Sequence, residues 1–188
     1  MYVVIEGIDT AGKSTQLTLL KDKLPNAIFT KEPGGTKLGV KLRSMALNGE
    51  AKSKIAEMFI FMADRAEHIE EVIKTNKHNT IISDRSIISG IAYASALNID
   101  QLIELNLIAT SNILPSHVIL LELTPAELKC RLSQKENDSI ELRGIDYLIN
   151  IQNRMKETIK RLNINHIVID AGLEIKEIEK KIEEFING

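Results

Sequence analysis

Two rhythms alternate along the chain. Short β-branched runs close on polar or turn residues, and between them apolar residues recur every three or four positions. Tyr2-Val3-Val4-Ile5 predicts a buried strand, and the residues from Thr15 to Leu20 a helix after it. Pro25 breaks that pattern, and Asn26-Ala27-Ile28-Phe29-Thr30 predicts a second strand. Glu32-Pro33-Gly34-Gly35-Thr36 reads as a loop, followed by a helix through Leu38, Leu42 and Met45 that ends near Asn48-Gly49. From Ser53 to about Asn76, Ile55, Met58, Phe59, Met62, Ala66, Ile69, Val72 and Ile73 keep helical spacing, which predicts one long amphipathic helix. Thr80 to Asp84 predicts a third strand, closed by a carboxylate, with helices over roughly 87–97 and 100–112. His117 to Leu123 predicts a fourth strand. Thr124-Pro125 then supplies an N-cap and a proline in the first turn of the next helix. A polar break spans Ser133 to Asp138. A helix from about Gly144 to Leu162, a fifth strand from Ile164 to Asp170 and a final helix with Ile175, Ile178, Ile182 and Phe185 complete the pattern. Strands alternating with helices imply an α/β fold: a five-stranded parallel sheet with both faces covered.

Composition narrows this little. The 188 residues suffice for one domain with a substantial core, and no linker, repeat or low-complexity segment divides them. Hydrophobic residues make up 44% and charged residues 27%, ordinary values for a globular chain. A net charge of −2 gives no sign of a general polyanion binder such as a nucleic-acid-binding protein, and leaves room for a local basic pocket. No apolar run approaches the ~18 residues of a membrane span, and the N-terminus carries no signal-peptide pattern. The single cysteine, Cys130, excludes an intramolecular disulfide, fits a reducing cytoplasm and is expected to be a small buried residue.

The first strand and helix are joined by the loop Gly7-Ile8-Asp9-Thr10-Ala11-Gly12-Lys13-Ser14-Thr15, which matches G-x-x-x-x-G-K-[ST]. Such a loop wraps backbone N–H groups around phosphate oxygens. Its glycines permit the turns and the close approach, Lys13 brings charge to the outer phosphates, and Ser14 offers a hydroxyl to Mg²⁺. The helix that follows aims its N-terminus at the anion. The sequence therefore predicts a nucleoside triphosphate site at the carboxyl end of the first strand, where open α/β sheets bind ligands.

Four further stretches ask for a second ligand. They are Glu32 to Thr36, Phe61-Met62-Ala63-Asp64-Arg65-Ala66-Glu67-His68, Asp84-Arg85 followed by Ser89-Gly90-Ile91-Ala92-Tyr93, and Ile169-Asp170-Ala171. Phe61 and Arg65 lie four apart on one helix face, so an aromatic ring and a guanidinium can enter one pocket. In this order, with the phosphate loop, the stretches resemble the thymidylate kinase family of the bacterial kind, within the P-loop nucleoside monophosphate kinases. The resemblance covers nearly the whole chain. It implies a three-layer P-loop kinase fold over residues 1–188 with a short flexible lid near 131–143, ATP and Mg²⁺ as donor and metal, dTMP as acceptor, and a homodimer.

The resemblance also implies roles. Phe61 would stack on thymine and Arg65 bind the nucleotide. Tyr93 would close the space beneath the sugar, and Asp9 would accept a hydrogen bond from its 3′-hydroxyl. Arg85 and Arg43 would meet the acceptor phosphate, and Glu32, Pro33 and Ser89 would line the acceptor pocket. Asp84 would orient Mg²⁺ together with Ser14. The departures from the family are equally specific. Ser86 stands where relatives commonly carry an aromatic residue. Thr10 stands where the eukaryotic kind carries an arginine, and the lid offers Arg131, Lys135 and Arg143 without an arginine run. Lys135 and Arg143 are the candidates to reach the transferring phosphoryl, and Arg131 to lie over the adenine.

Three other readings compete. Another nucleoside monophosphate kinase would share the fold and differ only in base selection. A GTPase would need N-K-x-D after a strand. The chain has Asn76-Lys77-His78-Asn79, with the wrong fourth residue at the end of a helix. A non-catalytic nucleotide sensor should lack Phe61, Arg65, Arg85 and Tyr93, and all four are present.

Overall fold

The first apolar run is buried on both of its faces. β1 (Tyr2–Glu6) sends Val3 and Ile5 into the main core and Tyr2 and Val4 into a second cluster with Ile69, Ile73 and Ile81. Burial on both sides is what a central strand of a parallel sheet requires. A computed structural model describes residues 1–133 and 144–188. In it β1 is flanked by β3 (Ile81–Asp84) and β4 (His117–Glu122), with β2 (Ile28–Lys31) and β5 (His166–Asp170) at the edges. Every pairing is parallel.

Among the described residues the connecting helices are α1 (Lys13–Lys23), α2 (Lys37–Leu47), α3 (Lys54–His68), α4 (Ile87–Tyr93), α5 (Ile99–Ala109), α6 (Pro125–Leu132), α7 (Ile145–Arg161) and α8 (Ile175–Asn187). None is long and apolar enough to cross a membrane. Their starts are written in the sequence. Thr36, Ser53, Ser86, Asn98 and Thr124 each accept a first-turn N–H, and Asn98 and Thr124 form reciprocal capping boxes with Gln101 and Glu127.

The strand ends converge. Register places Ile5 beside Asp84, and Lys31 beside Asp84 on the other side. The residues just beyond, Gly7, Arg85 and Glu32, therefore share one edge of the sheet. Because β1 is followed in sequence by β2 on one side and paired with β4 on the other, that edge is a switch point of the topology.

Several boundaries differ from expectation. The long helix continues past His68, but Ile69–Lys74 is π-helical. α4 stops at Tyr93 instead of running to residue 97. Ala94 is extended, and Arg154 of α7 donates to the carbonyls of Ile91 at 3.0 Å and Ala94 at 2.7 Å, satisfying the helix end from outside. β2 begins at Ile28 and β5 at His166, each shorter than its apolar run. Cys130 is exposed, not buried, because it falls on the outer face of α6 while Leu128 takes the core position. The lid region lies mostly in 134–143, outside the described residues.

Candidate active site

Gly12 precedes α1 at φ +93°, a left-handed conformation that favours glycine. As a glycine, the N-cap residue Gly12 has no side chain to cap α1, and no acidic residue occupies the first turn of that helix. The N–H groups there are left for an anion. Lys13 is 7% exposed and folds back over the loop, donating to the carbonyls of Gly7 at 2.9 Å and Ile8 at 3.0 Å. Burial first, and the nearby Arg85 second, lower its pKa to about 8. Asp9, Asp84 and Glu6 act against that fall, and an incoming phosphate would add further negative charge beside the ammonium. Ser14 and Thr15 are exposed beside it. Arg131 spans the loop from α6, donating from Nη1 to Thr10 O at 2.7 Å and from Nη2 to Ala171 O at 2.5 Å. It thereby ties the phosphate loop to the segment after β5.

Beside this loop opens a cavity of about 500 Å³. Asp9, Phe61, Arg65, Arg85 and Tyr93 line it, as do Glu32, Pro33, Arg43 and Ser89. The acceptor-side residues named from the sequence are thus brought to one wall system. Phe61 is half-buried on the cavity side and does not belong to the packed core. Arg43 donates to Pro33 O at 3.1 Å, and the Glu32–Pro33 peptide is cis. Asp64 Oδ1 accepts Gly34 N–H at 2.8 Å, fixing the same loop from α3. Burial, the largest influence, raises the pKa of Asp64.

Arg65 is held on all sides. Nε donates to Glu32 at 2.9 Å, Nη1 to Asn106 Oδ1 at 2.6 Å and Nη2 to Ser86 O at 3.3 Å. The other Glu32 oxygen takes a hydrogen bond from His68 Nδ1 at 2.8 Å, and His68 Nε2 meets Thr30 Oγ1 at 2.7 Å. The guanidinium lies flat on Gly90, where a Cβ would come within 2.3 Å of Nη2. Glycine at 90 is therefore a condition of this arginine's position.

Arg85 sits between the two compartments. Its backbone adopts φ +71°. Its guanidinium reaches Asp9 at 2.5 Å, Gly7 O at 3.2 Å and Ser89 Oγ at 3.0 Å, and stands 5.4 Å from the centre of the Tyr93 ring. Burial raises the Tyr93 pKa, with Arg85 acting against it. Asp84 Oδ1 is buried and has no hydrogen-bond partner among the described residues. Lys135 and Arg143 lie outside the described residues.

Sequence reasoning missed Asn106 and assigned no role to Glu6, His68 or Ser86. Asn106 had a signal, since it falls on the apolar face of α5 one turn after Leu102, where both are buried. Glu6 had one too, as an acid closing an apolar run and 0% exposed. Ser86, the departure from an aromatic residue, caps α4 and donates to Glu6.

The comparisons agree with this geometry. The family model "Thymidylate kinase" matches residues 5–182. The chain is 78% identical to a thymidylate kinase of Aliarcobacter butzleri, over 100% of this chain and 99% of that one. It is 54% identical to one of Wolinella succinogenes over 97% and 96%. The crystal structure of thymidylate kinase from Ehrlichia chaffeensis superposes with a TM-score of 0.79 at 22% identity, covering 99% of this chain and 98% of that one, which establishes the P-loop kinase fold. With a matching family model over most of its length and near-complete relatives at high identity, this chain belongs to the thymidylate kinase family.

Proposed function

We propose that the chain transfers the γ-phosphoryl group of ATP to the phosphate of dTMP, giving dTDP and ADP. One observation carries this reading: a phosphate loop, with a helix behind it that starts from a glycine N-cap, opens directly onto a cavity lined by Phe61, Arg65, Arg85 and Tyr93. A nucleotide sensor would need only the first half.

The chemistry asks for position and charge more than for bases. An oxygen of the acceptor phosphate attacks the γ-phosphorus in line, and the bond to the β–γ bridging oxygen breaks with ADP leaving. A phosphate monoester has a second pKa of about 6, so the nucleophile is largely dianionic at neutral pH and no strong general base is required. Phe61 offers its face to the base and Arg65, immobilised by three partners, offers its remaining N–H groups. Tyr93 leaves no room for a 2′-hydroxyl, and Asp9 accepts from the 3′-hydroxyl. Arg43 and Arg85 hold the acceptor phosphate, Lys13 the outer phosphates of ATP, and Arg131 the adenine side. Lys135 or Arg143 of the lid completes the charge around the transferring group.

The residues also fit a magnesium ion. Asp84 presents a buried oxygen without a hydrogen-bond partner among the described residues, and Ser14 an exposed hydroxyl. Among the described residues no group of three His, Cys, Asp or Glu side chains forms a metal cage, which suits an ion held largely by phosphates and water. Mg²⁺ would neutralise charge on the β- and γ-phosphates. One catalytic domain over 1–188, a lid near 131–143, a homodimeric state and a cytoplasmic location belong to the same proposal.

The experiment is turnover of Lys13→Ala and Arg85→Ala in purified, folded form. Each should fall by about two orders of magnitude or more, the scale of lost transition-state charge stabilisation. Near-normal turnover in either would refute its assigned role.

A further inference from the structure

Glu6 takes no part in the steps above, yet it is fully buried at the end of β1. A carboxylate in that position is costly unless its oxygens are satisfied. Among the described residues, its hydrogen-bond partners come from the start of α4. Ser86 Oγ donates to Oε1 at 2.8 Å, Ser89 Oγ to Oε2 at 2.5 Å, and Ser89 N–H approaches Oε1 at 3.3 Å. Burial raises the Glu6 pKa, while the Ser89 hydrogen bond and Arg85 act against that rise.

The bond from Ser89 has a direction. A carboxylate only accepts, so the single hydroxyl proton of Ser89 is committed to Glu6 and its lone pairs are left facing away. Arg85 Nη1 donates to one of them at 3.0 Å. The backbone of Arg85 is pinned separately, its N–H to Ile5 O at 3.1 Å and its carbonyl by Ser83 Oγ at 2.8 Å. What remains free is the long side chain, and three groups hold it: Asp9, Ser89 and the carbonyl of Gly7. Asp9 has a second task, since the sugar hydroxyl of the acceptor competes for it. Ser89 and Glu6 lie behind the guanidinium, and their arrangement needs no ligand.

We infer that Glu6 is a positioning residue for Arg85: through Ser89 it fixes the hydrogen-bond polarity that aims the guanidinium at the acceptor phosphate. The inference rests on the reading of Arg85 as an acceptor-phosphate cation. It also changes the part assigned to Ser89, from a wall of the acceptor pocket to a relay between a buried acid and an arginine.

Thymidine and dTMP differ by the phosphate alone, so their affinities separate the roles. Calorimetric titration of both into the full chain, without ATP, is the test, for wild type, Glu6→Gln, Ser89→Ala, the double variant and Arg85→Ala. Glu6→Gln and Ser89→Ala should each weaken dTMP about tenfold, as expected for losing one charge-assisted hydrogen bond, and leave thymidine unchanged. The double variant should be no weaker than the worse single one. The inference is overturned if both single variants keep the wild-type ratio of dTMP to thymidine affinity while Arg85→Ala loses it. Additive effects overturn it too, as does equal weakening of both ligands. If Arg85→Ala itself leaves the ratio intact, the role of Arg85 falls and the relay with it. Should Glu6→Gln not fold, Ser89→Ala alone decides, by a loss confined to dTMP or by none.

Discussion

Phe61 and Arg65 are one helical turn apart on α3 and are held in opposite ways. Arg65 is fixed by Glu32, Asn106 and Ser86, whereas Phe61 stands half-exposed at the cavity wall. Phe61→Ala should therefore raise KM for dTMP and leave KM for ATP nearly unchanged, with little loss of Tm. A phenylalanine serving only the core would instead cost ~3–5 kcal/mol of stability and show no selectivity between substrates. Steady-state kinetics with each substrate varied, together with thermal unfolding, distinguishes the two. At this scale the sequence exposed residues that act through local spacing: the phosphate loop, Phe61 with Arg65, and Arg85 with Ser89 and Tyr93. It hid residues joined only by packing. Arg65 and Asn106 are 41 positions apart and Glu6 and Ser89 are 83 apart. No periodicity relates such pairs until the sheet and helices have assembled.

Among the elements, α4 is the one whose length matters most, because it carries Ser89, Gly90 and Tyr93 in seven residues. Its apolar pattern continues to residue 97, and nothing local demands a stop at Tyr93. The stop comes from α7, where Arg154 takes up the carbonyls of Ile91 and Ala94. Helix ends set by a distant arginine are invisible to a local reading, whereas the start set by Thr124 was legible from its capping residue. Arg154→Ala should leave two helix-end carbonyls without this donor and destabilise the protein by about 1–3 kcal/mol. Hydrogen exchange should rise in residues 91–97 before it rises in β1. Unchanged protection there would show that α4 ends for another reason. The π-helical turn at Ile69–Lys74 was likewise unread, since Ile69 and Ile73 are four apart and serve α- and π-helical spacing nearly alike.

For the whole molecule, α/β class, strand number and parallel sense followed from alternation of apolar runs, while the order β2-β3-β1-β4-β5 did not. Order depends on which side each crossover takes, and no single strand encodes it. A homodimer was expected from the resemblance and stands as part of the proposal; Val40 on α2, Ile55 and Phe59 on α3 and Ile108 on α5 are exposed at 59%, 39%, 51% and 74%. Sedimentation equilibrium should give twice the 21.0 kDa of one chain, and a mass of one chain at micromolar concentration would remove the homodimer from the account. The central claim is that the phosphate loop and the adjoining cavity together move a phosphoryl group onto dTMP. It is tested most directly by measuring ADP release with ATP and Mg²⁺ against dTMP, dUMP, dGMP, dAMP and dCMP in turn. The account predicts that dTMP gives the highest kcat/KM of the five and that release without an acceptor is negligible. A higher kcat/KM for any of the other four, or no acceptor-dependent release at all, would contradict it.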